Sequence, residues 1–199
     1  MAIVAHPPSR HHPRRRLLAN ADRSRGIGGL AAIYAAGMGT EAVRFTTVEP
    51  RPTAVVAQTT TWAEFPTLWG SLLDEVYEFV RPRPELAAGD GDERWQNVML
   101  YKDQRPDVEV GVLVSERFQA AGRVIPSALP AGEVVTATHR GDYAKLGATH
   151  DAVRAYAAAH GRTLAGPCWE IYGHAQPNPD ETETEVFWLL RAALAGTAP

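Results

Sequence analysis

The residues of this sequence best suited to chemistry lie in the stretch Cys168-Trp169-Glu170-Ile171-Tyr172-Gly173-His174. In an extended strand successive side chains point to opposite faces, so Glu170, Tyr172 and His174 share one face and Trp169 and Ile171 the other. A carboxylate in an aromatic surround has two uses. It can neutralise a bound cation, or it can act as a base tuned for proton transfer by its surroundings. By itself a Glu-x-Tyr pattern most often marks a solvated strand face, because glutamates are seldom buried. The tryptophans Trp62, Trp69, Trp95, Trp169 and Trp188 shift the reading toward an aromatic site. Trp69 and Trp169 read as core, the latter beneath helices, whereas Trp62, Trp95 and Trp188 are free to line a pocket.

Other chemistries fail on spacing. The sequence has no Gly-x-Ser-x-Gly elbow, no His-Glu-x-x-His, no phosphate-cradling glycine loop and no Cys-x-x-Cys, which leaves no motif for these hydrolytic, metal, nucleotide or redox centres. Cys168 is the single cysteine, so neither an internal disulfide nor a thiolate cluster can form, and it reads as a small core residue. His139, His150, His160 and His174 offer no pair at convincing ligand spacing, and neither a metal nor a cofactor is expected. His139 and His174 can turn toward a groove, though histidine is as readily structural.

The elements that must position these residues recur. Val43 to Val48 and Thr53 to Thr60 are β-branched runs bent around Glu49, Pro50, Arg51 and Pro52, which reads as two extended segments and a proline turn. From Trp62 to Arg81, Phe65, Leu68, Trp69, Leu72, Leu73, Val76 and Val80 recur at three- and four-residue steps with Asp74, Glu75 and Glu78 opposite, the pattern of an amphipathic helix with Pro66 in its first turn. Strands follow over Trp95 to Lys102 and Val108 to Val114. After a loop expected from Gly122 to Gly132, the order restarts. Val134 to His139 is a strand, Asp142 caps a helix from Tyr143 to His160 that Gly161 stops, and Cys168 to His174 and Glu183 to Leu190 are strands.

The expected fold is therefore α+β: duplicated βαββ modules (repeat 1 about 43–115, repeat 2 about 133–191) with pseudo-two-fold symmetry, antiparallel sheets with two helices on one face, and a ligand cleft on the other. Trp69, Val76 and Val80 fall opposite Leu146, Val153 and Ala157. Tyr101 falls opposite Tyr172 and Met99 opposite Glu170, which brings both pairs to one groove.

Bulk properties narrow the partners. With 199 residues, 45% hydrophobic and 22% charged, the chain suits one core, and a net charge of -3 supplies no field for nucleic acid or an anionic membrane. No apolar run approaches the roughly 20 residues of a membrane span. Arg14, Arg15 and Arg16 before Leu17 and Leu18 loosely imitate an export signal, but the apolar run that follows is short, glycine-rich and displaced. Residues 1–40 are read as a disordered leader or an over-extended start, and 41–195 as a single domain. The expectation is a cytoplasmic monomer or homodimer.

The second half carries a resemblance. The segment from Val134 to Leu190 has a strand, Gly141-x-Tyr143-x-x-Leu146 at a helix start, Gly161 after the helix, Glu170-x-Tyr172 on a strand, and Thr184 and Glu185 entering the last strand. This pattern resembles the GyrI-like, or AraC-type effector-binding, domains, over roughly Val43 to Leu190 with a looser first half. The resemblance implies paired βαββ modules around a cleft for hydrophobic aromatic or cationic compounds, with Glu170 as the binding glutamate. It also implies a range of activities, from effector domains of transcription regulators to free proteins and hydrolases that open the cyclopropane ring of DNA-alkylating natural products. Phe187 and Trp188 depart from the family pattern and add aromatic surface near the expected cleft.

Three functions follow. In the first, preferred here, the protein hydrolyses a reactive cyclopropane-bearing compound for detoxification or self-resistance. Glu170 is the base, Tyr101 or Tyr172 stabilises the departing electron density, and Trp62, Trp95, Met99, His139, Phe187 and Trp188 hold the ligand. In the second, the same residues bind and sequester a drug without turnover. The third, transcription regulation, lacks a segment with the periodicity of a helix-turn-helix, so direct binding of nucleic acid is not expected.

Overall fold

The computed structural model describes residues 42–91, 94–103, 106–174 and 176–192, and the leader expected over 1–40 lies outside the described residues. Its elements are β1 (Arg44–Val48), β2 (Arg51–Thr59), α1 (Phe65–Val80), β3 (Asn97–Tyr101), β4 (Asp107–Leu113), β5 (Val124–Leu129), β6 (Gly132–Arg140), α2 (Leu146–Ala159), β7 (Leu164–Tyr172) and β8 (Glu183–Leu190). The strands form one antiparallel sheet ordered β1-β6-β8-β7-β3-β4-β2-β5. Exchanging β1 to β4 for β5 to β8 turns this order into its own reverse. A pseudo-two-fold axis therefore passes between the central strands β3 and β7, and the α+β fold of two duplicated modules stands.

Each module has four strands, and the one that the sequence did not suggest is β5. β5 occupies part of the expected loop from Gly122 to Gly132, where Pro126 is tolerated because β5 lies at the sheet edge. β1 pairs with β6 and β5 with β2, so each half lends an edge strand to the other.

The helices form where the sequence places them. At the start of α1 the Thr61 hydroxyl accepts from the Glu64 amide at 3.3 Å and donates to its carboxylate at 3.0 Å, and Pro66 falls where a missing N–H costs little. Asp142 accepts from the Ala144 amide at 2.9 Å and opens a short 3₁₀ turn, Tyr143–Lys145, that leads into α2. Gly161, at φ 67°, ends that helix in the left-handed region.

Both helices lie on one face of the sheet, and their positions create the cavity described below. α1 packs on β2, β4 and β5, and α2 on β6 and β8. The central strands β3 and β7 are left between them. Leu72, Val76 and Val80 of α1 and Leu146, Val153 and Ala157 of α2 join Val56, Val110, Val112, Val135 and Val186 of the sheet in the main core.

The opposite face is buried without helices. Val98, Leu100, Leu113, Leu129, Val134, Trp169, Ile171 and Phe187, all strand residues, form a second core there. Chain connectivity explains it. β1 and β2 stand first and seventh in the sheet yet are joined by Glu49 and Pro50 alone, and β5 and β6, eighth and second, by Pro130 and Ala131. A two-residue link spans at most about 11 Å. The sheet must curl until its two ends meet, and its inner face closes on itself. Trp169 thus belongs to the core away from the helices rather than beneath them. The expected cleft is not on the open side of the sheet, because the curl consumes that side. Among the described residues no helix is long and apolar enough to cross a membrane.

The paired strands β2 and β4 come close at Gly111, where an added Cβ would sit 1.9 Å from the carbonyl oxygen of Ala54. Gly111→Ala is expected to cost about 2 kcal/mol or more, read as a lowered urea midpoint at unchanged slope. An unchanged midpoint would mean that β2 and β4 can separate at no cost.

Candidate functional site

Glu170 and Met99 are paired across the central strands, and the glutamate is 1% exposed. A buried carboxylate is tolerated only when its oxygens accept hydrogen bonds. Oε2 accepts from the hydroxyl of Tyr101 at 3.2 Å and from that of Tyr172, two residues along the same strand. Oε1 faces Nε2 of His150 on α2 at 2.7 Å. Behind His150, the indole N–H of Trp188 on β8 donates to Nδ1 at 3.0 Å. The Tyr101 and Tyr172 hydroxyls also lie 3.7 and 3.5 Å from the Met99 sulfur, a weaker acceptor than the carboxylate.

Aromatic rings wall this centre. Trp62 and Phe65 pack on Tyr101 at 5.6 and 5.8 Å between ring centres, and Tyr143 packs on Tyr172 at 5.7 Å. Burial, then the nearby Glu170 charge, push the phenols of Tyr101 and Tyr172 well above the ordinary tyrosine value. Both remain protonated donors. Burial also pushes the Cys168 thiol up, which removes it as a nucleophile.

On the helix face, above β3 and β7, lies a cavity of about 330 Å³. Trp69, Leu73 and Tyr77 of α1 form one wall, Trp95, Asn97 and Met99 the floor on one side, and Tyr172, Gly173, His174 and Tyr143 the other. The Tyr77 hydroxyl donates to the Asn97 side-chain oxygen at 2.8 Å and ties helix to floor. Glu170 does not line this space. Tyr172 is the lining residue that hydrogen-bonds it.

The structure brings some of the site residues read from the sequence together and sets others apart. Glu170, Tyr101, Tyr172 and Met99 come together, and Trp95, Met99 and Tyr172 line the cavity. Trp62 covers Tyr101 from outside it. Trp188 lies beneath α2 and reaches the centre through His150. Phe187 is on the far face, stacked on Trp169 at 5.3 Å and 10°, because strand alternation sets it opposite to Trp188. His139 is buried with both ring nitrogens engaged, Nδ1 with Thr149 at 2.9 Å and Nε2 with the Asp142 carbonyl at 3.0 Å. It anchors the start of α2 and does not face the cavity. Sequence reasoning missed Trp69, Tyr77, Asn97, Tyr143 and above all His150. The position of His150 was itself a signal, since it lies four residues after Leu146 and three before Val153 on the buried stripe of α2. Among the described residues, no three or more His, Cys, Asp or Glu side chains are grouped to hold a metal.

Residues 95–191, which hold β3, the whole second module and both tyrosines, match a known family. They form a GyrI-like small molecule binding domain. The chain is similar in fold to the EcmrR C-terminal domain (17% identity, TM-score 0.59, covering 76% of this chain and 98% of that one). It is also similar to EcmrR in its complex with DNA (17%, TM-score 0.64), of which it spans 64% while 84% of this chain is covered. SAV2435 bound to tetraphenylphosphonium is similar at 10% identity and a TM-score of 0.53, over 75% of this chain and 94% of that one. At these identities the likeness is one of fold. No curated protein matches the sequence.

The two phenols give the GyrI-like domain an alkaline signature. A phenol whose folded value is raised keeps its proton where the unfolded chain has lost it, so its stabilisation is full below the ordinary value of 10.0 and is lost as pH rises beyond it. Urea stability is expected to fall above about pH 10, and to fall less steeply in Tyr172→Phe. The same slope in wild type and variant would mean that Tyr172 titrates as in the unfolded chain.

Proposed function

We propose that the cavity binds a hydrophobic aromatic small molecule, preferentially a cation, with Glu170 as a buried counter-charge sensed through Tyr172. The observation that carries this reading is the composition of the wall. Five of its aromatic side chains, Trp69, Tyr77, Trp95, Tyr143 and Tyr172, surround a space with no acidic residue among the described residues of its lining. The negative charge stands immediately behind Tyr172. Ring faces attract a cation by about 0.5–1 kcal/mol at exposed sites and about 2 kcal/mol when water is excluded, and a charge within the low-polarity interior acts over a longer range than one in water. A cavity of about 330 Å³ falls at the lower end of the range for ligand pockets. The fold relative SAV2435 bound to tetraphenylphosphonium supports the choice of a lipophilic aromatic cation as the first probe.

Hydrolysis of a cyclopropane-bearing compound is the second reading, favoured by one feature. Tyr172 is a protonated phenol on the cavity wall bonded to a carboxylate that can accept a proton, which is the acid and base pair that ring opening by water requires. Against it, both oxygens of Glu170 are already engaged. A water could reach the carboxylate only by displacing Tyr172.

Quenching of Trp69 and Trp95 fluorescence by tetraphenylphosphonium is expected to saturate, with Glu170→Gln weakening affinity about tenfold, or about 1.4 kcal/mol. Trp95→Ala should weaken it further. Affinity untouched by Glu170→Gln would remove the counter-charge role. In parallel, a cyclopropane-bearing alkylating compound incubated with the protein and followed by mass spectrometry separates the readings. Unchanged compound leaves the binder, whereas water addition lost in Glu170→Gln establishes the hydrolase.

A further inference from the structure

We infer that Trp188 and His150 form a positioning relay that presents one fixed hydrogen-bond donor to Glu170, and that the three residues occur as a set in the second module where the first module carries an apolar set. The inference rests on the reading of the cavity as a ligand site with Glu170 as its counter-charge.

The direction of the relay follows from the indole. Its N–H can only donate, and it lies 3.0 Å from His150 Nδ1, so Nδ1 accepts and the ring proton sits on Nε2. Nε2 then donates across 2.7 Å to Glu170 Oε1. The tautomer is set by the chemistry of Trp188. A second ring proton on Nδ1 would oppose the indole N–H, so the neutral donor form is the one that fits. Two further contacts hold the arrangement. The imidazole and indole rings meet edge to face at 5.9 Å, and Arg154, one turn further along α2, lies over the Trp188 ring at 5.6 Å.

The pseudo-two-fold axis supplies the comparison. Met99 corresponds to Glu170. Met99 pairs with Val110 of β4 as Glu170 pairs with Val186 of β8, so two residues along each strand Val112 corresponds to Trp188. On the helices, Trp69, Val76 and Val80 correspond to Leu146, Val153 and Ala157, which sets Leu73 against His150. Met99, Leu73 and Val112 in the first module thus stand where Glu170, His150 and Trp188 stand in the second. A carboxylate alone in the first module's surroundings would leave Oε1 buried without a donor, a severe cost. Met99 and Leu73 line the cavity, while their counterparts are tied to each other and to Trp188. The relay therefore holds Oε1 from behind and leaves Oε2, through Tyr172, as the side of the carboxylate that meets the cavity.

Measurements on the full chain decide it. Imidazole ¹⁵N shifts of the wild-type protein should give His150 as the neutral ring with its proton on Nε2, and a proton on Nδ1 overturns the relay. In titrations with tetraphenylphosphonium, His150→Leu should raise Kd about tenfold. His150→Gln, which carries an N–H at similar reach, should recover most of that loss. Triphenylphosphine oxide, aromatic and neutral, should bind wild type and both variants alike. Equal weakening of both probes, or no recovery with glutamine, would reduce His150 to packing and overturn the inference. Should wild type bind neither probe, it is the ligand reading that fails. The relay is then decided by the shifts and by urea stability, with His150→Leu expected to destabilise the wild type but not Glu170→Met, and an equal cost in both backgrounds refuting it.

Discussion

One carboxylate buried at the join of two modules organises the rest of the molecule. Moving a charged carboxylate out of water is among the most unfavourable steps in folding, and hydrogen-bond donors to its oxygens offset it. Glu170 draws its donors from three elements: Tyr101 on β3, Tyr172 on its own strand β7, and His150 on α2. The pairing of β3 with β7 and the seating of α2 are therefore held to hydrogen-bond tolerance. A slip of one residue in either strand would turn its side chains to the opposite face, and Tyr101 and Glu170 would no longer meet. Apolar burial alone is more forgiving of exchange among similar side chains, and the first module, with Met99, Leu73 and Val112, has that forgiving kind of centre.

A second constraint, the two-residue links joining strands from opposite ends of the sheet, decides where a ligand can go. The links curl the sheet until its inner face is filled by its own side chains, with Trp169 stacked on Phe187 there. The cavity lies instead on the helix face. Because α1 packs over β4, β2 and β5 on one side and α2 over β8 and β6 on the other, the gap between them falls over β3 and β7, along the axis. The cavity and the carboxylate share that axis for one reason: both are consequences of joining two modules edge to edge.

Much of this was legible in the sequence, and the failures have distinct causes. Alternation along Cys168 to His174 identified the face that carries Glu170 and Tyr172, and three- and four-residue spacing gave both helices and the duplicated order, because each of these is a local period. β5 was hidden by Pro126 and the surrounding glycines and alanines, which suit an edge strand as well as a loop. The side of the sheet bearing the cleft depends on curl, and curl comes from linker lengths between strands whose neighbours are not evident in sequence. Phe187 and Trp188 were both assigned to the cleft although adjacent strand residues cannot share a face. His150 was passed over because its partner is 20 residues away, and the search for histidine pairs at metal spacing had no place for a histidine that serves a single carboxylate.

The filled donor set of Glu170 bears on what kind of selectivity such a site can have. With all its donors in place, Glu170 does not need a ligand to complete it, so a ligand gains nothing by satisfying an orphaned group and need not present a hydrogen-bonding atom at one fixed point. Its attraction to a cation is the field of a charge one phenol away from the cavity, and a field constrains direction far less than a hydrogen bond does. Shape is likewise constrained weakly, since ring faces, one leucine and one methionine make up most of the wall beside Asn97, Gly173 and His174, and methionine adapts readily. A buried, fully paired carboxylate behind an aromatic wall thus favours a class of compounds, defined by charge and lipophilicity, over a single structure. Narrow selectivity would instead have to come from polar groups of the lining itself, the Tyr143 hydroxyl, the Asn97 amide nitrogen and the His174 ring, since the Tyr77 hydroxyl is already committed to Asn97.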